Sequence, residues 1–210
     1  MLTRAHFDRG LRLDQYIASM TRNREDFRAY FVAAGSALSP EVLSNFRRLP
    51  APVFVAALVE DDNLDALRDI PLLGRLCAEV TKLTLRLFRP HTHPEEAQAL
   101  ATDAGQSQAE QRALPIVGFY SVEFRLLAAH VQRLPALTGL MEKRRAEWIA
   151  AHPDVQDAQA PWERMSPITR IRLTCALYSL STAERLYWWQ QCLAAWQSAL
   201  GLTPAGKGLT

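Results

Sequence analysis

Apolar residues along the chain change spacing several times, and each change marks an element. Up to about residue 50 the spacing is helical: Leu13 to Met20, Asn23 to Ala34, and a segment opened by Ser39-Pro40-Glu41, an N-cap serine followed by proline at the first helical position. Tyr16, Phe27, Tyr30 and Phe31 supply the apolar side of these helices, and Gly35 is placed to stop the second. Pro52 to Val59 is then a continuous apolar run, β-branched and aromatic at its start, which predicts a central strand covered on both faces. The run ends in Glu60-Asp61-Asp62-Asn63. From Leu64 to Val80, Leu67, Ile70, Leu73, Leu76 and Cys77 return at helical spacing, with Asp62 placed to cap and Asp65 three positions later. Leu83, Leu85 and Leu87 alternate with Thr84, Arg86 and Phe88, which predicts a second strand, a right-handed βαβ crossover and a sheet that is at least partly parallel.

Pro94-Glu95-Glu96-Ala97 opens a short helix, and the polar stretch Asp103 to Gln111 ends it. Ile116 to Tyr120 and Phe124 to Val131 read as two further strands joined as a hairpin through Ser121-Val122-Glu123. Ala136 to Ala151 is helical, His152-Pro153 breaks it, and a polar linker with Asp154, Asp157 and Pro161 leads into a helical end. There Ser181-Thr182-Ala183-Glu184 is a capping box, and Leu186, Trp189, Leu193, Trp196 and Leu200 form one stripe. Thr203 to Thr210 reads as a frayed terminus.

The composition narrows the function classes. With 210 residues, 49% apolar, the chain has enough material for one substantial core with helical additions. A net charge of +2 gives no overall field for nucleic acid or an anionic membrane, and no uncharged apolar run approaches the roughly 18 residues of a spanning helix. The N-terminus lacks an apolar stretch with a cleavage site, so the expected location is the cytoplasm. Cys77, Cys175 and Cys192 are an odd number, far apart and flanked by apolar residues, which predicts small buried hydrophobes in a reducing compartment.

Two stretches carry a family resemblance. Glu60-Asp61-Asp62-Asn63-Leu64-Asp65-Ala66-Leu67-Arg68-Asp69-Ile70-Pro71 resembles the active-site segment of bacterial thioredoxin-family proteins, with Arg68 and Pro71 where that pattern expects them. Ala113-Leu114-Pro115-Ile116-Val117 is similar to the cis-proline strand of the same superfamily. The resemblance implies an α/β fold, a thioredoxin-like three-layer sandwich with a central mixed sheet of about four strands. On this reading residues 1–50 are an N-terminal helical extension, 51–152 the core and 153–210 a C-terminal helical segment. It also implies a loss. Asn63 stands where the family has its nucleophilic cysteine, Ala66 where it has the resolving cysteine or serine, Asp62 replaces the tryptophan and Leu64 the glycine. An amide cannot attack a disulfide, so redox turnover is not expected.

The remaining candidates are weaker. The carboxylates Glu60, Asp61, Asp62, Asp65 and Asp69 crowd one helix start, where dipole and capping interactions account for them, and a calcium-loop spacing is absent. His91-Thr92-His93 offers two imidazoles without a third convincing ligand, so no metal and no cofactor is expected. No nucleophile, phosphate-loop or zinc-protease motif occurs. The basic residues Lys143, Arg144, Arg145, Arg164, Arg170 and Arg172 are interrupted by acidic ones, as on a solvated helix surface. Trp188, Trp189 and Trp196 give the last helix a wide apolar arc, which fits core packing or a homodimer through the C-terminal helices.

The expected function is a redox-inactive protein that binds a polypeptide partner in a groove formed by Asp61, Asp62, Asn63, Leu64, Ala66, Leu114 and Pro115. Two alternatives stay open: thiol chemistry at a non-standard cysteine, and a structural subunit assembled through its helical ends.

Overall fold

The computed structural model of the chain describes residues 1–106 and 113–202. Part of the polar stretch Asp103–Gln111 and the terminus Thr203–Thr210 therefore lie outside the described residues. The chain divides into two compact units, Met1–Gln132 together with the residues from Cys192 onward, and Arg133–Gln191.

The first unit opens with four helices, α1 (Arg4–Arg9), α2 (Leu13–Ser19), α3 (Arg24–Ala33) and α4 (Pro40–Arg47). Periodicity misses α1 because six residues are too few to repeat. Its start is fixed locally: Thr3 accepts from the His6 amide while the His6 ring accepts from the Thr3 amide, and Phe7 is buried behind them. Ser39 caps α4 as expected, accepting from the Val42 amide at 3.2 Å. α3 ends at Ala33 with Ala34 as its cap, directly before the stop expected at Gly35. The chain tightens through it into a 3₁₀ turn, Ala34–Ala37, closed by the Leu38 amide on the Gly35 carbonyl.

There follow β1 (Val53–Leu58), α5 (Ala66–Glu79), β2 (Leu83–Phe88), α6 (Pro94–Asp103), β3 (Ile116–Tyr120) and β4 (Leu126–Val131). The strand order is β2-β1-β3-β4: β1 and β2 run parallel from Val53↔Leu83 to Leu58↔Phe88, and β3 pairs antiparallel with both β1 and β4. This is a mixed α/β fold with a four-stranded mixed sheet. β4 begins two residues later than expected because Ser121–Arg125 is consumed by the turn. The Ser121 amide donates to the Arg125 carbonyl, and Phe124 adopts φ 57°.

The centre of the sheet is apolar on both sides. α5 is buried from Ala66 to Gly74, and on another side Phe7 meets Phe54 and Phe124 edge-on at 5.2 and 5.6 Å. Gly118 in β3 is required by close packing, since a Cβ there would lie 2.6 Å from the Tyr120 ring and 2.9 Å from Leu100. On the β2 side, Leu11 forms an antiparallel bridge with Leu87.

The second unit contains α7 (Pro135–Ala151), a 3₁₀ turn at Trp162–Arg164, α8 (Pro167–Tyr178) and the beginning of α9 (Thr182–Ala199). Its core gathers Trp148, Ala158, Met165 and Leu173. Ser166 caps α8, and the Arg144 guanidinium closes its other end by donating to the Ala176 and Ser179 carbonyls while pairing with Glu184. The Ser181–Glu184 capping box forms reciprocally, at 2.8 and 3.2 Å. Trp188, Trp189 and Trp196 are buried within this single chain. No helix among the described residues is long and apolar enough to cross a membrane.

Candidate functional site

Parallel registry builds one edge of the molecule. With Leu58 opposite Phe88, and the Val59 amide bonded to the Phe88 carbonyl at 2.9 Å, the residues just beyond the two strands must emerge side by side. Asp61 and Arg89 do so. The Arg89 guanidinium donates through Nε and Nη2 to Asp61 Oδ1 at 3.2 and 2.9 Å, donates through Nη1 to Ser19 Oγ at 2.8 Å, and lies 4.6 Å from the Tyr16 ring centre. The other Asp61 oxygen accepts from the Thr21 amide at 2.9 Å, and Asn23 donates to the Asp61 carbonyl at 2.9 Å. Burial alone would push the Asp61 carboxyl up. The Thr21 amide and the Arg89 guanidinium outweigh it, and the group ends below its ordinary value of 3.8.

Beside this pair is a cavity of about 310 Å³ that also touches Arg22, Glu60, Asp62 and His91. Four of its charges are paired with one another: Arg22 with Asp62 at 3.1 Å and Arg89 with Asp61 at 2.9 Å. The acidic loop thus ties α2 and the start of α3 to the sheet. That corrects the capping expected of Asp62, which points to Arg22 instead of the helix start. The sequence reading also missed Arg89, although its position directly after a strand parallel to β1 is the signal that could have found it.

Asn63 is the residue at the start of α5. Its Oδ1 accepts from the Ala66 amide at 2.8 Å, and its Nδ2 donates to the Leu114 carbonyl at 3.0 Å. The Leu114–Pro115 bond is cis. Three of the seven groove residues, Asn63, Ala66 and Leu114, therefore meet in one hydrogen-bonded junction, with Pro115 next in the chain. Ala66, Leu114 and Pro115 are buried, Asn63 and Leu64 are half-buried, and Asp62 is exposed. Asp61 and Asp62 belong to the ion pairs described above and do not join the junction.

Below that junction, α5 carries two buried charged residues in succession, Arg68 and Asp69. The Cys192 thiol of α9 lies 3.6 Å from Asp69 Oδ1, and His130 Nε2 of β4 lies 3.9 Å from Asp69 Oδ2. Burial first, and then the Asp69 carboxylate, raises the Cys192 thiol far above its ordinary range, while burial lowers the His130 imidazole. No sequence pattern announces this cluster, because its three members come from distant elements. The other two cysteines behave differently from each other. Cys77 is held by burial at a pKa of about 12, whereas Cys175 is exposed, which corrects the expectation that all three are core residues.

The histidine pair also resolves. His93 Nδ1 accepts from the Arg89 amide at 3.2 Å, so this ring stabilises the turn into α6, while His91 faces the cavity edge. Among the described residues no group of three or more His, Cys, Asp or Glu side chains is arranged to hold a metal ion.

No family model matches the chain, and no curated protein matches it. Two solved structures resemble it. A protein of unknown function from Pseudomonas aeruginosa is 15% identical, with a TM-score of 0.58 over 89% of this chain and 96% of its own. An HIV epitope-scaffold is 14% identical, with a TM-score of 0.58 over 94% of this chain and 99% of its own. At these identities the likeness is one of fold, and the mixed α/β architecture is shared along nearly the whole chain.

Proposed function

We propose that the chain is a redox-inactive, cytoplasmic thioredoxin-like protein, a three-layer sandwich with helical extensions, that binds a polypeptide partner at the edge around Asn63. The observation that supports this reading is the Asn63 junction: a helix start faces a residue preceding a cis-proline, and the side chain between them is an amide with both polar ends engaged. In the resembled family a thiol at that place does chemistry. Here the same place offers only hydrogen bonding, while Asp62 and Leu64 beside it stay accessible to a partner.

The test has two arms. Purified protein is given a dithiol and a small disulfide substrate, beside an Asn63→Cys, Ala66→Cys double variant; the wild type should not turn over and the variant should. A reduced and alkylated unfolded polypeptide is then titrated against wild type and against Leu64→Glu, which should weaken binding. Turnover by the wild type, or no polypeptide binding at all, would overturn the reading.

Thiol chemistry at a non-standard cysteine has one observation in its favour, the exposure of Cys175. Against it, no described side chain hydrogen-bonds to that sulfur.

A further inference from the structure

α8 presents a face that the second unit leaves uncovered. Thr169 and Leu173 are its buried side, while Ile168 and Ile171 are 71% and 64% exposed and Cys175 is exposed as well. At positions i, i+3 and i+7 these three residues lie along one stripe about two turns long. Scattered exposed aliphatics need no explanation, but two isoleucines on adjacent turns of one stripe form a patch. The charge on α8 itself has one sign, while at its start stand Glu163, in the turn before it, and Asp157, whose carboxylate is taken up by the Ser166 amide and the Thr169 hydroxyl. α8 contains Arg170 and Arg172 and no Asp or Glu, and Arg164 sits in the turn just before it. Arg144 and Lys143, on α7, are paired with Glu184 and Glu147, whereas Arg164, Arg170 and Arg172 make no ion pair among the described residues. Arg172, next to the stripe, holds its guanidinium 5.9 Å from the Trp148 ring centre.

We propose that this face of α8 is a docking site for an acidic amphipathic helix of a partner protein, with aliphatic side chains meeting Ile168 and Ile171 and flanking carboxylates meeting Arg172 and Arg170. The charge pattern selects the occupant. A second copy of the chain would set arginine against arginine, with no carboxylate on the helix to offset the repulsion. A stripe this short, with two isoleucines and no aromatic residue, matches two turns of a partner helix better than it matches a membrane surface. The inference is independent of the Asn63 edge.

The probe is a fluorescein-labelled helical peptide with leucines at i, i+3, i+4 and i+7 and glutamates on the flanks, followed by anisotropy. Binding is expected to be saturable, with Kd on the order of 10–100 μM, and to weaken as salt rises. Ile168→Ser with Ile171→Ser, or Arg172→Glu, should each weaken it about tenfold, equivalent to about 1.4 kcal/mol. These side chains are exposed, and circular dichroism checks that the variants stay folded. The proposal fails if no saturation is seen by roughly 1 mM, if the variants bind as well as wild type, or if a lysine-flanked peptide binds equally. It also fails if the protein instead sediments with vesicles containing roughly 30% phosphatidylserine, or if light scattering shows a dimer that Ile171→Ser abolishes.

Discussion

Replacing Asn63 by alanine removes two bonds that no neighbour can remake. The first satisfies the Ala66 amide at the start of α5, and losing such a cap costs about 1 kcal/mol. The second holds the buried Leu114 residue through its carbonyl, and a net contribution of about 1 kcal/mol is ordinary for a bond of this kind. Together the variant should lose about 2 kcal/mol, which for a chain of this length corresponds to a fall in Tm of about 4–8 °C. Asn63→Asp separates the two contributions. It keeps the acceptor for Ala66 and places negative charge at a helix start, but at neutral pH it turns a carboxylate oxygen toward the Leu114 carbonyl. Its deficit should therefore shrink at low pH, where the protonated acid can donate to that carbonyl as the amide did. Urea titration at pH 7 and pH 4, with amide exchange at Ala66 as the local readout, measures both effects. If Asn63→Ala changes stability by less than about 0.5 kcal/mol, or if Asn63→Asp matches wild type at neutral pH, the junction does not hold the edge together as argued.

Thiol labelling of the native protein should modify Cys175 quickly and leave Cys77 and Cys192 protected until the chain unfolds, because burial keeps the latter two protonated; mass spectrometry after a brief pulse would reveal a different pattern. Since the Asp61 carboxyl is held below 3.8 in the folded chain, its contribution to stability is present above that pH and is lost as the pH falls through its folded value. Asp61→Asn should consequently lower stability at pH 7 and flatten the acid limb of the stability profile, and a variant profile parallel to wild type would contradict the Arg89 pairing. Gly118→Ala should destabilise the first unit through its collision with Tyr120 and Leu100, by about 1–3 kcal/mol in a urea titration, and an unchanged midpoint would mean that the aromatic ring moves aside freely.

Where one element's own spacing fixes it, the sequence is easily read. β1, β2 and β3 fall within a residue of the runs that predict them, and the Ser39 and Ser181 caps form because each needs only residues three positions apart. The exposure of Cys175 was hidden for the same reason that the strands were visible: apolar neighbours in sequence say that a helix has a buried side, not which residues face it. Thr169 and Leu173 take the buried side of α8, and Cys175, two positions beyond Leu173, is turned outward. The site was legible as a location but not as a set of bonds. Asn63 could be placed opposite Leu114 from the resemblance, whereas the division of labour within the acidic loop depended on Arg22 and Arg89, contributed by segments about 40 and 28 residues away.

The buried contact of a thiol, a carboxylate and an imidazole beneath this edge has the members of a nucleophilic site in an order that cannot work as one. An activated cysteine needs a base or a cation at the sulfur, so that the thiolate is the favoured form. Here the carboxylate of Asp69 stands between the other two: Cys192 donates to one of its oxygens and His130 approaches the other. Negative charge next to the sulfur, added to burial, makes the thiolate harder to form, and the Cys192 residue is 0% exposed. The imidazole nitrogen lies 3.9 Å from the acid, and burial lowers its pKa, which disfavours the charged form. What the arrangement does is tie α9 to α5 through the Cys192–Asp69 hydrogen bond, with His130 of β4 close by. The carboxylate against Cys192 and the amide at the start of α5 each disfavour a thiolate at their own place, the first by charge and burial and the second by offering no sulfur at all.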